Sequence, residues 1–261
     1  MTAEERVVAK AAAEIGYLEK ATNYALYSMT ANAGSGNWTK YANDLDEIGT
    51  IYNGRKNGYA WCDMFVDWCF ITTFGVELGM KLLCQPYGGA GAGCTYSMTY
   101  YKNKGQFHKT NPQPGDQIFF TNDGGKTSNH TGLVVKVSGG KVYTIEGNTS
   151  SAAGVVDNGG CVRDKSYSLT YSKIAGYGRP DWSLVPADPD ASQEGDEDVK
   201  RYNSIAELPD YAKPTIIKLV DKGHLGGAGK AKDANGRPAD LDLSLDMIRV
   251  FVIEDRAGLY N

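Results

Sequence analysis

The chain has 261 residues, of which 41% are hydrophobic and 22% charged, and a net charge of −4 at neutral pH. This length accommodates one good-sized domain and a small second one, and the composition is ordinary for a globular protein. A mildly acidic chain offers no electrostatic basis for binding nucleic acid or an anionic membrane. No apolar run approaches the roughly 20 residues of a membrane span, and the acidic N-terminal segment leads us to expect no signal peptide.

The first half of the chain has the periodicity of helices. Thr2 and Glu5 form a capping box, and apolar residues at helical spacing then predict a helix over Ala3–Lys20. A short helix is predicted within residues 38–45, and a further helix with aromatics on one side is predicted over residues 96–102.

A distinctive helix is predicted around residues 61–72, directly after a glycine-rich polar segment. It is apolar on nearly every side, which is typical of a buried helix. Cys62 lies in its first turn, where unpaired backbone N–H groups and the positive end of the helix dipole favour a thiolate. A buried structural cysteine is the alternative interpretation, and a catalytic one requires a histidine and an orienting group downstream.

The five cysteines are odd in number and form no metal-binding pattern. Cys62 and Cys69 are seven residues apart on one predicted helix and cannot bridge. We therefore expect reduced thiols and a cytoplasmic fold, with a Cys84–Cys94 disulfide as the exception that stays open.

The pattern changes to short strands after residue 116. A helical half followed by a stranded half predicts an α+β fold in which helices pack on an antiparallel sheet. Gly139 and Gly140 separate two strands and predict a hairpin turn. The predicted strands are Gln117–Thr121, His130–Ser138, Lys141–Glu146, Gly160–Lys165 and Lys173–Tyr177.

This hairpin brings polar residues together at one end of the sheet. Counting outward from the turn, His130 falls roughly opposite Gly147 or Asn148 and within diagonal reach of Glu146. With Cys62 on a helix packed against that end, a thiolate, an imidazole and an orienting carboxylate would meet. Considered without the other, His130 would be interpreted as a solvated or core histidine, and Glu146 as an exposed carboxylate at the end of a strand.

These residues also carry a family resemblance. Residues 1–182 resemble a CHAP domain, the cysteine, histidine-dependent amidohydrolase/peptidase family, which has a papain-like fold. The matching segments are residues 61–66, 114–120, 129–134 and 145–149. The resemblance implies that Cys62 is the nucleophile and His130 the base. It further implies that Glu146 is the orienting acid and Asn148 another polar group of the site. Members commonly cleave peptidoglycan, at the muramoyl–alanine amide or within the peptide stem or bridge.

Two features depart from that family pattern. Some members carry a calcium-binding Asp-x-Asp loop before the cysteine, where this chain has Asn-Gly-Arg-Lys-Asn at residues 53–57. Asp44 and Asp46 are too few for calcium, which takes six or more oxygens, so we expect neither a metal nor another cofactor. Members often have glutamine before the cysteine, where this chain has Trp61. The backbone N–H of Cys62 is therefore our hypothesis for the oxyanion hole.

The chain divides by composition into a CHAP-like catalytic domain at residues 1–183, an acidic flexible linker at 184–200 and a small all-α module at 201–261. Apolar positions predict one helix in the module between residues 208 and 220 and another between 243 and 253. The module loosely resembles a surface-layer-homology-type repeat, which implies binding to a wall-associated polymer. It is small enough that pairing with itself is a further expectation.

The combination of a lytic domain, a linker and a wall-binding module, with no signal peptide expected, is similar to bacteriophage endolysins. It implies a peptidoglycan hydrolase, an amidase or an endopeptidase, that accumulates in the host cytoplasm and reaches the wall after holin-type release. A bacterial cell-wall remodelling hydrolase, a catalytically silent wall-binding protein and an intracellular amidase of small γ-glutamyl substrates stay open as alternatives.

Overall fold

The computed structural model describes residues 1–186, 202–227, 231–243, 247–248, 251–252 and 255. The chain divides into two compact units, Met1–Ala187 and Asp188–Asn261. The acidic linker predicted for residues 184–200 lies outside the described residues from position 187 onward, so its flexibility stays a prediction.

The first unit is built on a six-stranded sheet in which every pair of neighbours is antiparallel, in the order β1-β6-β2-β3-β4-β5. Together with the helices it confirms the predicted α+β class. The strands are β1 Phe107–His108, β2 Gln117–Phe120, β3 His130–Ser138, β4 Lys141–Thr149, β5 Cys161–Ser168 and β6 Ile174–Gly178.

Five α-helices accompany this sheet. They are α1 Ala3–Ala12, α2 Lys40–Ile48, α3 Cys62–Phe74, α4 Val76–Leu82 and α5 Cys94–Asn103. A short 3₁₀ helix follows at Trp182–Leu184. The predicted helices at 38–45 and 96–102 correspond to α2 and α5, whereas α4, which begins directly after Gly75, was not predicted.

The prediction of one helix over Ala3–Lys20 was wrong in its length. Its start is confirmed, because Thr2 and Glu5 form both bonds of a capping box. Gly16 has a φ of +96°, a conformation that ends a right-handed helix. The next residues extend the sheet edge instead, since Leu18 forms a β-bridge with Cys161.

The hairpin between β3 and β4 forms as predicted. Gly139 and Gly140 have φ values of +58° and +73°, as a turn with two left-handed residues requires. The pairing shifts register between Val134 and Lys136, at a bulge. His108, which we predicted to lie in a loop, is instead paired with Tyr177 in the short strand β1.

Helix α3 is the centre of the first unit. All its residues from Cys62 to Ile71 are buried, and its aromatic side chains pack among those of neighbouring elements. Strand β4 approaches the helix at Gly147, where a Cβ atom would lie 2.5 Å from the Cβ of Phe65. A glycine at this point lets the strand that carries Glu146 lie directly against the helix that carries Cys62.

The second unit has a 3₁₀ helix at Ile205–Glu207 and a helix, α6, at Lys213–Asp221. Helix α6 begins later than the apolar pattern predicted, because Pro214 occupies its first turn and Tyr211 is half exposed. Most of the second predicted helix falls outside the described residues. Two isolated β-bridges, Tyr202 with Leu243 and Lys232 with Pro238, accompany α6, so an all-α module stays a prediction.

Candidate active site

Cys62 is the first residue of α3 and is almost completely buried. The helix has no side-chain cap, since the preceding residue, Trp61, makes no capping hydrogen bond. The Trp61 indole instead donates to Glu19 Oε2 at 2.8 Å within the aromatic core. The positive end of the helix dipole therefore faces the thiol without a competing capping side chain. Trp61 offers no side-chain donor to an oxyanion here.

His130 and Glu146 meet on adjacent strands. His130 Nε2 lies 2.9 Å from Glu146 Oε2, and both side chains are fully buried. The carboxylate can cross the sheet because Gly132 lies beneath it, where a Cβ atom would be 2.5 Å from Glu146 Cγ. The Phe120 ring stacks on the imidazole with centroids 5.9 Å apart, which fixes the plane of the ring.

Two hydroxyl groups hold the Glu146 carboxylate in place. Thr144 Oγ1 donates to Oε1 at 2.6 Å, and Tyr167 Oη donates to Oε2 at 3.2 Å. With Nε2 turned to the carboxylate, His130 Nδ1 has no hydrogen-bond partner of its own among the described residues. The carboxylate thus selects the tautomer that leaves Nδ1 available for the thiol.

The electrostatics favour a charged thiolate and imidazolium. A hydrogen bond from Cys94 lowers the pKa of Cys62 well below its usual range, burial opposes this, and His130 lowers it further. Burial alone would lower the pKa of His130. The Cys62 thiolate and the Glu146 carboxylate beside it instead raise the pKa of His130 to about 10. These pKa directions favour the Cys62 thiolate and the His130 imidazolium over the neutral thiol and imidazole.

Cys94 is a neighbour that the sequence reasoning did not place in the site. Its Sγ lies 3.4 Å from Cys62 Sγ, and it is the first residue of α5. Its hydrogen bond to Cys62, aided by burial, raises the pKa of the Cys94 thiol well above its usual range. All five cysteines are free thiols, so the Cys84–Cys94 disulfide that had stayed open does not form. No pattern in the sequence signals the contact between Cys62 and Cys94.

Asn148 is buried near the end of β4 with a φ of +54°. Its carbonyl oxygen accepts from the Gly159 N–H at 2.8 Å, and its Oδ1 accepts from the Gly160 N–H at 3.2 Å. Its side-chain Nδ2 has no hydrogen-bond partner among the described residues. The bonds of Asn148 therefore hold the connection to β5, and none of them reaches Cys62 or His130.

A second buried carboxylate, Asp63, follows the thiol in α3. Ser97 Oγ donates to it at 2.7 Å and Gln117 Nε2 at 3.0 Å. The same amide nitrogen of Gln117 donates to Thr131 Oγ1 at 3.1 Å. Asp63 thus connects α3 directly to α5 and β2, and Gln117 extends this connection to the strand that begins at His130. Burial, with a contribution from the charge of Cys62, raises the pKa of Asp63 to about 7.

The two aspartates considered for calcium are already engaged with hydrogen-bond donors. Asp44 accepts from Tyr27 Oη and Trp68 Nε1. Asp46 accepts from the backbone N–H groups of Lys56 and Asn57. Within the described residues, no group of three or more His, Cys, Asp or Glu side chains is arranged to hold a metal ion.

Residues 54–148 match the CHAP domain. This stretch is similar to a cysteine- and histidine-dependent peptidoglycan hydrolase. It begins before α3, contains Cys62, His130 and Glu146, and ends at Asn148. A CHAP domain implies amidase or peptidase activity on peptidoglycan in general, and the match extends over no part of the second unit. No curated protein matches the chain. In the part of the chain that the structure describes, none of the helices is long and apolar enough to span a membrane.

Proposed function

We propose that the chain cleaves an amide bond of bacterial peptidoglycan by a Cys–His–Glu mechanism through an acyl-enzyme. The observation that carries this proposal is the buried pair of His130 and Glu146, 2.9 Å apart, beside a Cys62 thiol of lowered pKa. The CHAP match supports the substrate class. The bond is either the muramoyl–alanine amide or an amide of the stem or bridge.

The first half of the reaction forms the acyl-enzyme. The Cys62 thiolate attacks the carbonyl carbon, and the carbonyl oxygen becomes an oxyanion. The backbone N–H of Cys62, at the start of α3, is our proposed donor to that oxyanion. The imidazolium of His130 then gives its Nδ1 proton to the nitrogen of the leaving amine, and the C–N bond breaks.

Water completes the cycle. Neutral His130 takes a proton from the water as it attacks the thioester, and the C–S bond breaks to release the carboxylic acid. Glu146 keeps the imidazole in one orientation and balances its charge in both halves. Because the same nitrogen acts as acid and then as base, His130 must remain between thiol and substrate throughout.

We further propose an endolysin-like role, in which a bacteriophage-encoded enzyme acts on the host wall after release from the cytoplasm. The second unit is proposed to bind a wall-associated polymer, with pairing of two copies through this unit as a further possibility to test. Deleting residues 200–261 is expected to weaken sedimentation of the protein with purified walls. Unchanged sedimentation would contradict this assignment of the second unit.

The decisive experiment is mass spectrometry of the fragments released from purified Gram-positive walls. Wild type should release fragments, whereas Cys62→Ala and His130→Ala should release none above background. Cys84→Ser is the matched control, because the Cys84 thiol donates to Gln106 Oε1 at 2.9 Å, a bond that serine can keep. Free muramic acid carboxyls with intact stems identify an amidase, and new amine ends within stem or bridge identify an endopeptidase. Equal release by Cys62→Ala would refute the mechanism.

A further inference from the structure

The arrangement of the two neighbouring thiols has no role in the acyl transfer described above. Cys62 and Cys94 each occupy the first position of a helix, and their sulfur atoms are 3.4 Å apart. A disulfide requires about 2.05 Å between the sulfurs. A shift of the α5 end could close the remaining gap.

The chain before α5 is suited to such a shift. Gly93 is the N-cap residue of α5 and makes no side-chain capping bond. It ends a run of six residues, 88–93, of which four are glycine. A Cβ atom at Gly93 would meet only the Tyr96 side chain, at 3.2 Å, and glycine has more backbone freedom than other residues. A local adjustment at Gly93 can therefore bring Cys94 towards Cys62 while the buried helix α3 stays in place.

The other thiols are engaged elsewhere. Cys84 Sγ donates to Gln106 Oε1 at 2.9 Å, and Cys161 Sγ donates to the Thr149 carbonyl at 2.9 Å. Cys69 is fully buried in α3. Among the described residues, Cys94 is therefore the thiol in contact with Cys62.

We propose that Cys62 and Cys94 form a redox-active dithiol, which hydrogen peroxide closes to a disulfide and a dithiol reductant reopens. The disulfide removes the nucleophile, so oxidation switches the hydrolase off reversibly. As a regulatory device this rests on the proposed function, whereas the pairing of the two thiols does not.

The chemistry balances in two steps. The Cys62 thiolate attacks one oxygen of hydrogen peroxide, the O–O bond breaks, and Cys62 becomes a sulfenic acid as hydroxide leaves. The Cys94 sulfur then attacks the Cys62 sulfur, the S–S bond forms, and the S–O bond breaks. The Cys94 proton leaves with that oxygen as water. In sum, two thiols lose two electrons, one peroxide gains them, and two waters form.

The electrostatics assist both steps. The lowered pKa of Cys62 supplies the thiolate that reacts with peroxide. The hydrogen bond to Cys62 is the largest cause of the raised pKa of Cys94. Once Cys62 is a neutral sulfenic acid, that cause is removed, and Cys94 deprotonates more easily to attack it.

The test oxidises the full chain with excess peroxide, blocks remaining thiols with N-ethylmaleimide, and maps the products after chymotrypsin digestion. Trypsin would leave Cys62 with Cys69 and Cys84 with Cys94, whereas chymotrypsin cleaves after the intervening aromatic residues and separates all four. Wild type and Cys84→Ser should yield a linked Cys62–Cys94 peptide that is about 2 Da lighter than the sum of its two reduced peptides. Wall hydrolysis should fall to background and return with dithiothreitol.

Cys94→Ser separates the disulfide from a simple hydrogen bond, because a serine hydroxyl can donate to the thiolate but cannot bridge. In this variant Cys62 should advance to the sulfinic acid, a gain of about 32 Da that dithiothreitol does not reverse. The proposal is overturned if wild type yields sulfinic Cys62 without the linked peptide, or if Cys94→Ser recovers as fully as wild type. If reduced wild type hydrolyses no walls, the proposed function fails, while the linked peptide still decides the pairing.

Discussion

Replacing Glu146 by glutamine tests whether the charge of this side chain, rather than its shape, sustains the site. Glutamine keeps the volume and one carbonyl oxygen, which can accept from Tyr167 and His130 at the Oε2 position, while its NH2 group faces the Thr144 hydroxyl and can donate to it. What disappears is the negative charge 2.9 Å from His130 Nε2. With both side chains fully buried, solvent cannot screen or replace that charge.

The expected size of the effect follows from the hydrogen bond. A bond to a charged group contributes about 1.5–3 kcal/mol and a neutral one about 0.5–1.5 kcal/mol, so the charge accounts for roughly 1–2 kcal/mol. The low local dielectric of a buried site increases this difference. We expect kcat/KM on purified walls to fall roughly 10- to 100-fold. Cys62→Ala, which removes the nucleophile, should cost far more.

The pH profile should also narrow from both sides. Wild-type hydrolysis should persist until His130 deprotonates at its pKa of about 10. Without its negative partner the imidazolium is less stable, so in the glutamine variant the alkaline limb should move down by about one to two units. The less stable imidazolium also stabilises the Cys62 thiolate less, so the pKa of Cys62 should rise. The acid limb of the profile should then move to higher pH.

Two assays read these changes separately. The pH dependence of wall hydrolysis reports both limbs. Alkylation of Cys62 by iodoacetamide, followed by mass spectrometry, reports the thiolate without any substrate. Glu77→Gln is the control, because Glu77 is exposed and pairs with Lys81 at the surface. A Glu146→Gln protein with wild-type rates and unchanged limbs would refute the role assigned to the carboxylate.

Three further substitutions and one control test the surroundings of the site. Tyr167→Phe removes the 3.2 Å bond to Glu146 and should lower kcat/KM only roughly two- to tenfold; a loss as large as that of Glu146→Gln would be unexpected. Gly132→Ala forces a Cβ to within 2.5 Å of Glu146 Cγ, so hydrolysis should nearly cease. Gly105→Ala is the control, because Gly105 has a φ of +70° but open space around its Cβ position. This variant should keep its activity and lose only about 1–2 kcal/mol of stability. Burial raises the pKa of Asp63 to about 7, so this carboxyl binds its proton more tightly in the folded state than in the unfolded state. The stability that protonation provides is therefore lost as pH rises from about 4 to 7. Asp63→Asn should reduce the difference in melting temperature between pH 5 and pH 8. An equal difference in wild type and variant would contradict the burial argument.

Local patterns predicted the parts of the site that depend on strand register. Two adjacent glycines locate the turn, and counting outward from them brings His130 and Glu146 together. The bulge in β3 then decides the face, because Lys136 pairs with Tyr143 on the turn side of it and Val134 pairs with Thr144 beyond it. Since side chains alternate between the two faces of a sheet, this shift of one residue places His130 and Glu146 on the same face, and counting from the turn did not predict it. The start of α3 was also predictable, since a polar glycine-rich segment precedes a helix that is apolar all round.

Contacts between helices were not predictable in the same way. Cys62 and Cys94 are 32 residues apart, and only the packing of α3 against α5 brings their thiols together. Likewise, Asp63 appears in the sequence as one of two aspartates in an otherwise apolar helix, and its hydrogen-bond donors, Ser97 and Gln117, come from α5 and β2. The overlong first helix failed for a related reason. Its apolar spacing continues past Gly16, but residues 17–20 gain more by pairing at the sheet edge than by extending the helix.

The Cys62 thiolate and the His130 imidazolium are favoured despite their burial, and the neighbours explain why. Burial disfavours both charges, raising the pKa of the thiol and lowering that of the imidazole. Cys94 supports the thiolate from one side, and Glu146 supports the imidazolium from the other. Both act on one shared equilibrium between the ion pair and the neutral thiol and imidazole. The losses of activity caused by removing Cys94 and by removing Glu146 are therefore coupled rather than additive. Once one removal has shifted the site to the neutral thiol and imidazole, the other residue has little charge left to stabilise.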